Sequence, residues 1–252
     1  MAIIINKVKI LKESKKEGIM EAKKQKNNQA AQKASSRTPE RHDDKDGALN
    51  IHSGRSNIHV ISIIGQIEGH YMLGEGQKAT KYEHIIPEIV SAEEDESVDG
   101  VLILLNTMGG DVEAGLAIAE LIASLSKPTV TLVLGGGHSI GVPLAVSGRR
   151  SFIVPSATMT IHPVRFNGLV VGVEQSFRYF SEMQKRIVNF ICNHSNADRD
   201  KIYELMMCPD MMATDVGSII EGREAVEYGI IDRVGGLDKA IEALKKMIED
   251  EK

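Results

Sequence analysis

Gly137-His138-Ser139-Ile140-Gly141 places a serine in a G-x-S-x-G turn. An apolar β-branched run, Thr129 to Leu134, leads in, and a small-residue run, Ser139 to Ser147, leads out. A strand-to-helix turn of this kind exposes a hydroxyl beside backbone N–H groups. Glycines permit the tight turn and let a carbonyl approach the backbone. The chemistry this suits is acyl transfer by serine. That chemistry also needs a base for the hydroxyl proton, a group that fixes the base's tautomer, and two donors aimed at the developing oxyanion. The same spacing suits an ordinary glycine-rich turn, so the other parts decide between the two.

His162 is the best-placed base. It ends the short β-type run Thr158 to Ile161 and precedes Pro163, which cannot continue a strand's hydrogen bonding. Of the other histidines, His42 and His52 fall in a hydrophilic segment, His59 on a strand and His84 at a helix start. His70 and His194 sit in loop-like contexts, and His138 adjoins Ser139, where neighbouring side chains point apart. A strand-end histidine also suits a hydrogen-bonded structural role. Asn106-Thr107-Met108-Gly109-Gly110-Asp111-Val112 forms a second glycine turn at a strand-to-helix junction. If its strand and the serine's strand are parallel neighbours, the Gly110 N–H comes near Ser139. The same residues also fit a plain βα turn. There is no H-E-x-x-H, and Cys192 and Cys208 make no ligand pattern, so neither a metal nor another cofactor is expected.

The elements that must position these groups alternate along the chain. Ile58 to Ile64 reads as a strand, Glu83 to Glu94 as a helix limited by Pro87, and Val101 to Leu105 as a strand buried on both faces. Val112 to Leu125 has helical spacing and ends before Pro128. Strand and helix thus alternate before the serine, which predicts an α/β fold with parallel strands joined by crossovers. Beyond it come Phe152 to Val154 and Thr158 to Ile161 as strands, then helices over Glu174 to Asn193 and Arg199 to Met207. Ser218 to Ile220 and Ile230-Ile231 are short strand candidates around a helix at Glu221 to Tyr228, and Leu237 to Glu249 closes the chain as an amphipathic helix.

Residues 1–56 read as a hydrophilic, disordered tail and residues 57–252 as one domain. The tail is rich in Lys, Glu, Gln, Asn and Ser, with Pro39, Gly47 and Gly54 as breakers. Of the 252 residues 42% are hydrophobic, enough for a core built from Ile, Val, Leu and Met in the absence of tryptophan. A net charge of −5 leaves no electrostatic footprint for nucleic acid. Two thiols fit a reducing compartment, and no secretory signal or transmembrane-length run is seen, so a cytoplasmic protein is expected.

Four blocks carry a resemblance. They are Asn106 to Val112, Gly137 to Gly141, Met159-Thr160-Ile161-His162-Pro163, and Glu224-Ala225-Val226-Glu227-Tyr228-Gly229-Ile230-Ile231-Asp232. They occur in the order found in the Clp-type serine peptidases, over about Asn57 to Asp232. Gly135 to Pro143 and Thr160 to Arg165 further resemble an export-linked branch of that family in spore-forming Gram-positive bacteria. The resemblance implies a ClpP/crotonase-like spiral of β-β-α units, a polypeptide substrate and a homo-oligomer. It implies Ser139 as nucleophile, His162 as base, and the N–H groups of Gly110 and Ile140 as the oxyanion hole. It also implies an ATPase partner or the export machinery as candidate partners. Without gaps, the family's aspartate falls on Gly217. A slip before Ser218 moves it to Asp215, with Asp210 as the more distant alternative. Asp215 equally suits a turn or cap. Arg165-Phe166-Asn167-Gly168 replaces the start of the family's ring-contact region, and the tail does not resemble its axial-pore loop. Phe177, Phe180, Met183, Ile187 and Phe190 on the helix at 174–193 fit either a subunit contact or intramolecular packing.

The competing readings are a serine endopeptidase, a binding or accessory factor for protein export that cuts little or nothing, and a crotonase-like acyl-CoA enzyme. The last would put a carboxylate in place of the serine–histidine pair. An α/β-hydrolase is disfavoured because no histidine follows late in the chain.

Overall fold

The computed structural model describes residues 49–53, 56–74, 76–166, 168, 171–209 and 216–251. All of them fall in the unit His42–Lys252. The long apolar runs become the centre of a mixed, mostly parallel sheet. β2 (Ser56–Glu68), β4 (Gly100–Gly110) and β5 (Thr129–Gly137) lie side by side and parallel. β1 (Leu49–Ser53) flanks β2, and β6 (Arg150–Ile153) and β9 (Arg233–Val234) continue the sheet beyond β5, giving the order β1-β2-β4-β5-β6-β9. β3 (Ala79–Lys81) pairs with the end of β2. β7 (Thr158–Ile161) leaves β5 at Gly136 and pairs antiparallel with β8 (Ser218–Glu221).

Val101 to Leu105 of β4 is apolar without a break because both sheet faces are covered there. Ile61, Ile63, Ile103, Leu105 and Val133 point into a large core, as do Ile118 and Ile122 of α2 (Val112–Ser124) and Leu144 of α3 (Gly141–Val146). On the opposite face Ile58, Val60, Leu102, Val130 and Leu132 meet Ala240, Leu244 and Ile248 of α7 (Leu237–Asp250). These three recur every four residues along one helical stripe. Burying a side chain the size of Leu244 contributes about 1.5–3 kcal/mol, and truncating it to alanine costs about 2–5 kcal/mol.

The structure corrects two boundaries. β1 (Leu49–Ser53) pairs antiparallel with β2 from Leu49↔Val60 to Ser53↔Ser56, within the segment that composition assigns to the tail. Backbone pairing of this kind does not depend on side-chain hydropathy, so composition does not reveal it. Residues 1–48 lie outside the described residues. α1 (Tyr82–Glu94) matches the expected helix at both ends and carries Pro87 inside it. Ile230-Ile231 is not a strand: both N–H groups bond to Ala225 O, at 2.9 and 3.0 Å, as the chain leaves α6 (Gly222–Glu227). The last strand forms only at Arg233–Val234. Among the described residues no helix is long and apolar enough to cross a membrane.

Candidate active site

Both glycine turns lie at the ends of neighbouring parallel strands, β4 and β5, as the spacing requires. Two bonds from the Asn106-Thr107 pair lock them together, and two more from Thr107 Oγ1 brace the first turn. Asn106 Oδ1 accepts from Gly136 N at 3.0 Å, and Thr107 O accepts from His138 N at 3.1 Å. Thr107 Oγ1 accepts from Gly109 N at 3.0 Å while donating to Gly65 O at 2.6 Å. The result is close contact between Gly109 and the serine. A Cβ at Gly109, where φ is +91°, would stand 2.7 Å from Ser139 Cβ and 3.3 Å from its Oγ. Any residue larger than glycine would therefore press on the hydroxyl-bearing side chain.

Ser139 has φ of +58° and is the one non-glycine residue with positive φ among the described residues. A left-handed serine costs about 1–2 kcal/mol, and such outliers concentrate at functional sites. The conformation is held from both sides. Ser139 N donates to Thr160 O at 2.8 Å, and Gly141 N and Val142 N bond back to His138 O and Ser139 O at 2.9 and 3.0 Å. The bond to Thr160 ties the serine to β7, the strand that leads into His162. His138 is directed elsewhere. Its Nδ1 lies 2.8 Å from Thr160 Oγ1 and its ring packs over Gly136, where burial pushes its pKa below the usual histidine range.

His162 follows directly on β7. Its Nδ1 is 2.7 Å from Pro163 O. A carbonyl oxygen only accepts, so Nδ1 carries the proton in this contact and the basic lone pair falls on Nε2. The β7–β8 register pairs Ile161 with Ser218, which brings Gly217 opposite His162. Gly217 has φ of +136°, and a Cβ there would meet His162 Cβ and Ile161 O, each at 2.7 Å. The position where the ungapped comparison puts an aspartate thus sits against the histidine and admits no side chain. Gly217 N also bonds to Cys208 O at 2.9 Å, closing the chain just beyond α5 (Arg199–Met207). Asp215 and Asp210 lie outside the described residues.

Ser139, His162, Gly110 and Ile140 all line one cavity of about 260 Å³. Its floor is apolar, from Met108 and Val112 at the glycine turn, Ile187 and Ile191 of α4 (Val173–Asn193), and Met206 of α5. Arg165 also faces it. Sequence reasoning named the four polar positions but missed the side-chain work of Asn106 and Thr107 and the wall from α4 and α5. The first was visible only as part of a motif, and the second has no local signal. α4 itself divides. Met183, Val188, Phe190 and Ile191 are buried, whereas Phe177 is 71% exposed. Intramolecular packing therefore explains the second half of the helix but not the first. Among the described residues no group of His, Cys, Asp and Glu is arranged to hold a metal ion.

Comparisons with known proteins identify the family. The family model described as Clp protease matches residues 54–237. The chain is 57% identical over 195 residues to the Translocation-enhancing protein TepA of Halalkalibacterium halodurans, covering 77% of this chain and 76% of that one. It is 25% identical over 157 residues to the ATP-dependent Clp protease proteolytic subunit of Lactococcus lactis subsp. cremoris, covering 60% and 74% of the two chains. The mixed α/β sheet with its covered faces is consistent with the ClpP-like fold, and the chain belongs to the Clp protease family.

Proposed function

We propose that the chain is a cytoplasmic serine-type peptidase that acts on extended polypeptides connected with protein export. The observation that carries this reading is Ser139, held at φ +58° on the wall of an apolar cavity it shares with His162 and both glycine-turn positions. In this mechanism Nε2 of His162 takes the Ser139 hydroxyl proton as Oγ bonds to the substrate carbonyl carbon. The N–H groups of Gly110 and Ile140 donate to the oxyanion. His162 then gives the proton to the leaving amine, and water hydrolyses the acyl-serine in the same two steps. Each oxyanion donor contributes about 3–4 kcal/mol to lowering the barrier. Asp215 is the proposed partner that orients His162. It precedes Gly217 by two residues, and two residues of chain span at most about 7 Å. The exposed first half of α4 is the surface proposed for contact between copies of the chain, and the export machinery or an ATPase is the proposed source of substrate.

A second reading has its own support. The relative sharing 57% identity is a translocation-enhancing protein, and Gly217 leaves the family's aspartate position without a carboxylate. On this reading the groove binds polypeptide during export and cuts little. Labelling with a fluorophosphonate probe separates the two. Labelling of the wild type that disappears in Ser139→Ala and His162→Ala supports the peptidase. No labelling of folded wild type assigns the site to the accessory role.

A further inference from the structure

Resting on the peptidase reading of Ser139 and His162, we infer that His138 and Thr160 form a positioning pair that sets the serine against its base. His138 is linked to all three parts of the site. Its backbone N–H donates to Thr107 O at 3.1 Å, in the turn that leads to Gly110. Its ring Nδ1 lies 2.8 Å from the hydroxyl of Thr160, which stands two residues before His162. It also directly precedes Ser139, whose own N–H donates to Thr160 O at 2.8 Å. Thr160 thus holds both residues of the serine turn, one through its hydroxyl and one through its carbonyl. A left-handed serine persists only where its surroundings over-determine it, and these two bonds supply that constraint.

The glycine run before the serine makes room for this ring. Gly136 is not among the glycines with positive φ, so its backbone conformation does not require glycine. The space does. A Cβ at Gly136 would stand 2.5 Å from His138 Nε2 and 2.6 Å from its Cδ2. Gly136 is also the residue of β5 that pairs with Thr158 of β7, so the seat, the ring and the strand lie side by side. The ring is half-buried, and burial lowers its pKa, so it is uncharged near neutral pH. Nδ1 then either donates to the Thr160 hydroxyl or accepts from it, and the bond forms in both tautomers.

The test follows residue 139 by two chemistries in the full-length chain. The first is the maximal rate of fluorophosphonate labelling at saturating probe. Thr160→Val and Gly136→Ala are expected to lower it about tenfold and to leave the half-saturating probe concentration unchanged, in line with the sensitivity of positioned groups to small displacements. Thr160→Ser, which keeps the hydroxyl, is expected to restore most of the rate lost in Thr160→Val. The second is the pKa of the thiol in Ser139→Cys, read from iodoacetamide alkylation against pH, with Cys192 and Cys208 separated by peptide mass spectrometry. A thiol paired with an imidazole falls below the ordinary value of about 8.5. Adding Thr160→Val or Gly136→Ala is expected to return it toward that value, whereas adding Thr160→Ser is not. An ordinary thiol pKa in Ser139→Cys itself, a rate and pKa unmoved by Thr160→Val and Gly136→Ala, or equal losses in Thr160→Ser and Thr160→Val would overturn the pair. The two readouts separate the pair from the peptidase. A thiol pKa that depends on the pair, in a protein whose wild type does not label, keeps the pair and removes acyl transfer. Wild-type labelling that the variants leave unchanged does the reverse.

Discussion

Replacing Gly109 by alanine tests whether the glycine turn sets the position of the serine. At φ +91° an L-residue costs about 1–2 kcal/mol, and the loss of glycine's freedom in the unfolded chain returns about 0.4–1 kcal/mol. The new methyl would also stand 2.7 Å from Ser139 Cβ and 2.8 Å from His138 O. Neither is the end of a flexible side chain, so the turn must shift, and overpacking of this kind costs about 1–3 kcal/mol. Together these give a destabilisation of roughly 1–5 kcal/mol, which lowers Tm by roughly 2–18 °C in a domain of this size. Gly74→Ala is the matched control, because nothing lies within 4 Å of a Cβ there and its φ is ordinary. The displaced group is Ser139 itself, so the fluorophosphonate labelling rate of Gly109→Ala should fall by at least about tenfold, in line with the sensitivity of positioned groups to small displacements. Thermal unfolding and labelling rates on the three proteins decide the matter. A Gly109→Ala protein that melts and labels like Gly74→Ala would refute the close approach and the reasoning built on it.

Other predictions address the histidines and the acid. Gly217→Asp should lower Tm and fail to raise peptide hydrolysis, because a Cβ at Gly217 meets His162 Cβ at 2.7 Å. A faster enzyme would show that the loop adapts to hold a carboxylate there. Asp215→Ala should reduce kcat/KM on a peptide substrate by on the order of 10⁴, and Asp210→Ala by much less. The reverse order would move the acid to Asp210, and no effect from either would leave a Ser139–His162 dyad. His138 is kept neutral by burial, so its folded pKa lies below the ordinary value of 6.5. Between the two values the unfolded chain binds more protons than the folded one, so stability rises with pH across that window and is lost on acidification below about pH 6.5. His138→Gln should flatten this part of the curve of urea midpoint against pH, and an unchanged slope would assign it to other groups.

The parallel α/β core is legible in local residue patterns. Val101 to Leu105 is apolar without alternation because both faces of the sheet are covered, Thr129 to Leu134 is rich in β-branched and apolar residues, and both patterns are local. Local patterns likewise marked Ser139, His162 and the two glycine turns, since turn chemistry and strand ends are written in neighbouring residues. Ile230-Ile231 misled for the same reason. Its local preference was overridden by bonds to Ala225 O. What only the tertiary structure decided were the meetings of residues far apart in the chain. The β7–β8 ladder brings Gly217 against His162, and the bond from Ser139 N to Thr160 O ties the serine to the histidine's strand. α4 and α5 close the apolar wall of the cavity. These depend on register and on the packing of whole elements, each summed over many weak contacts, so no single stretch of sequence contains them.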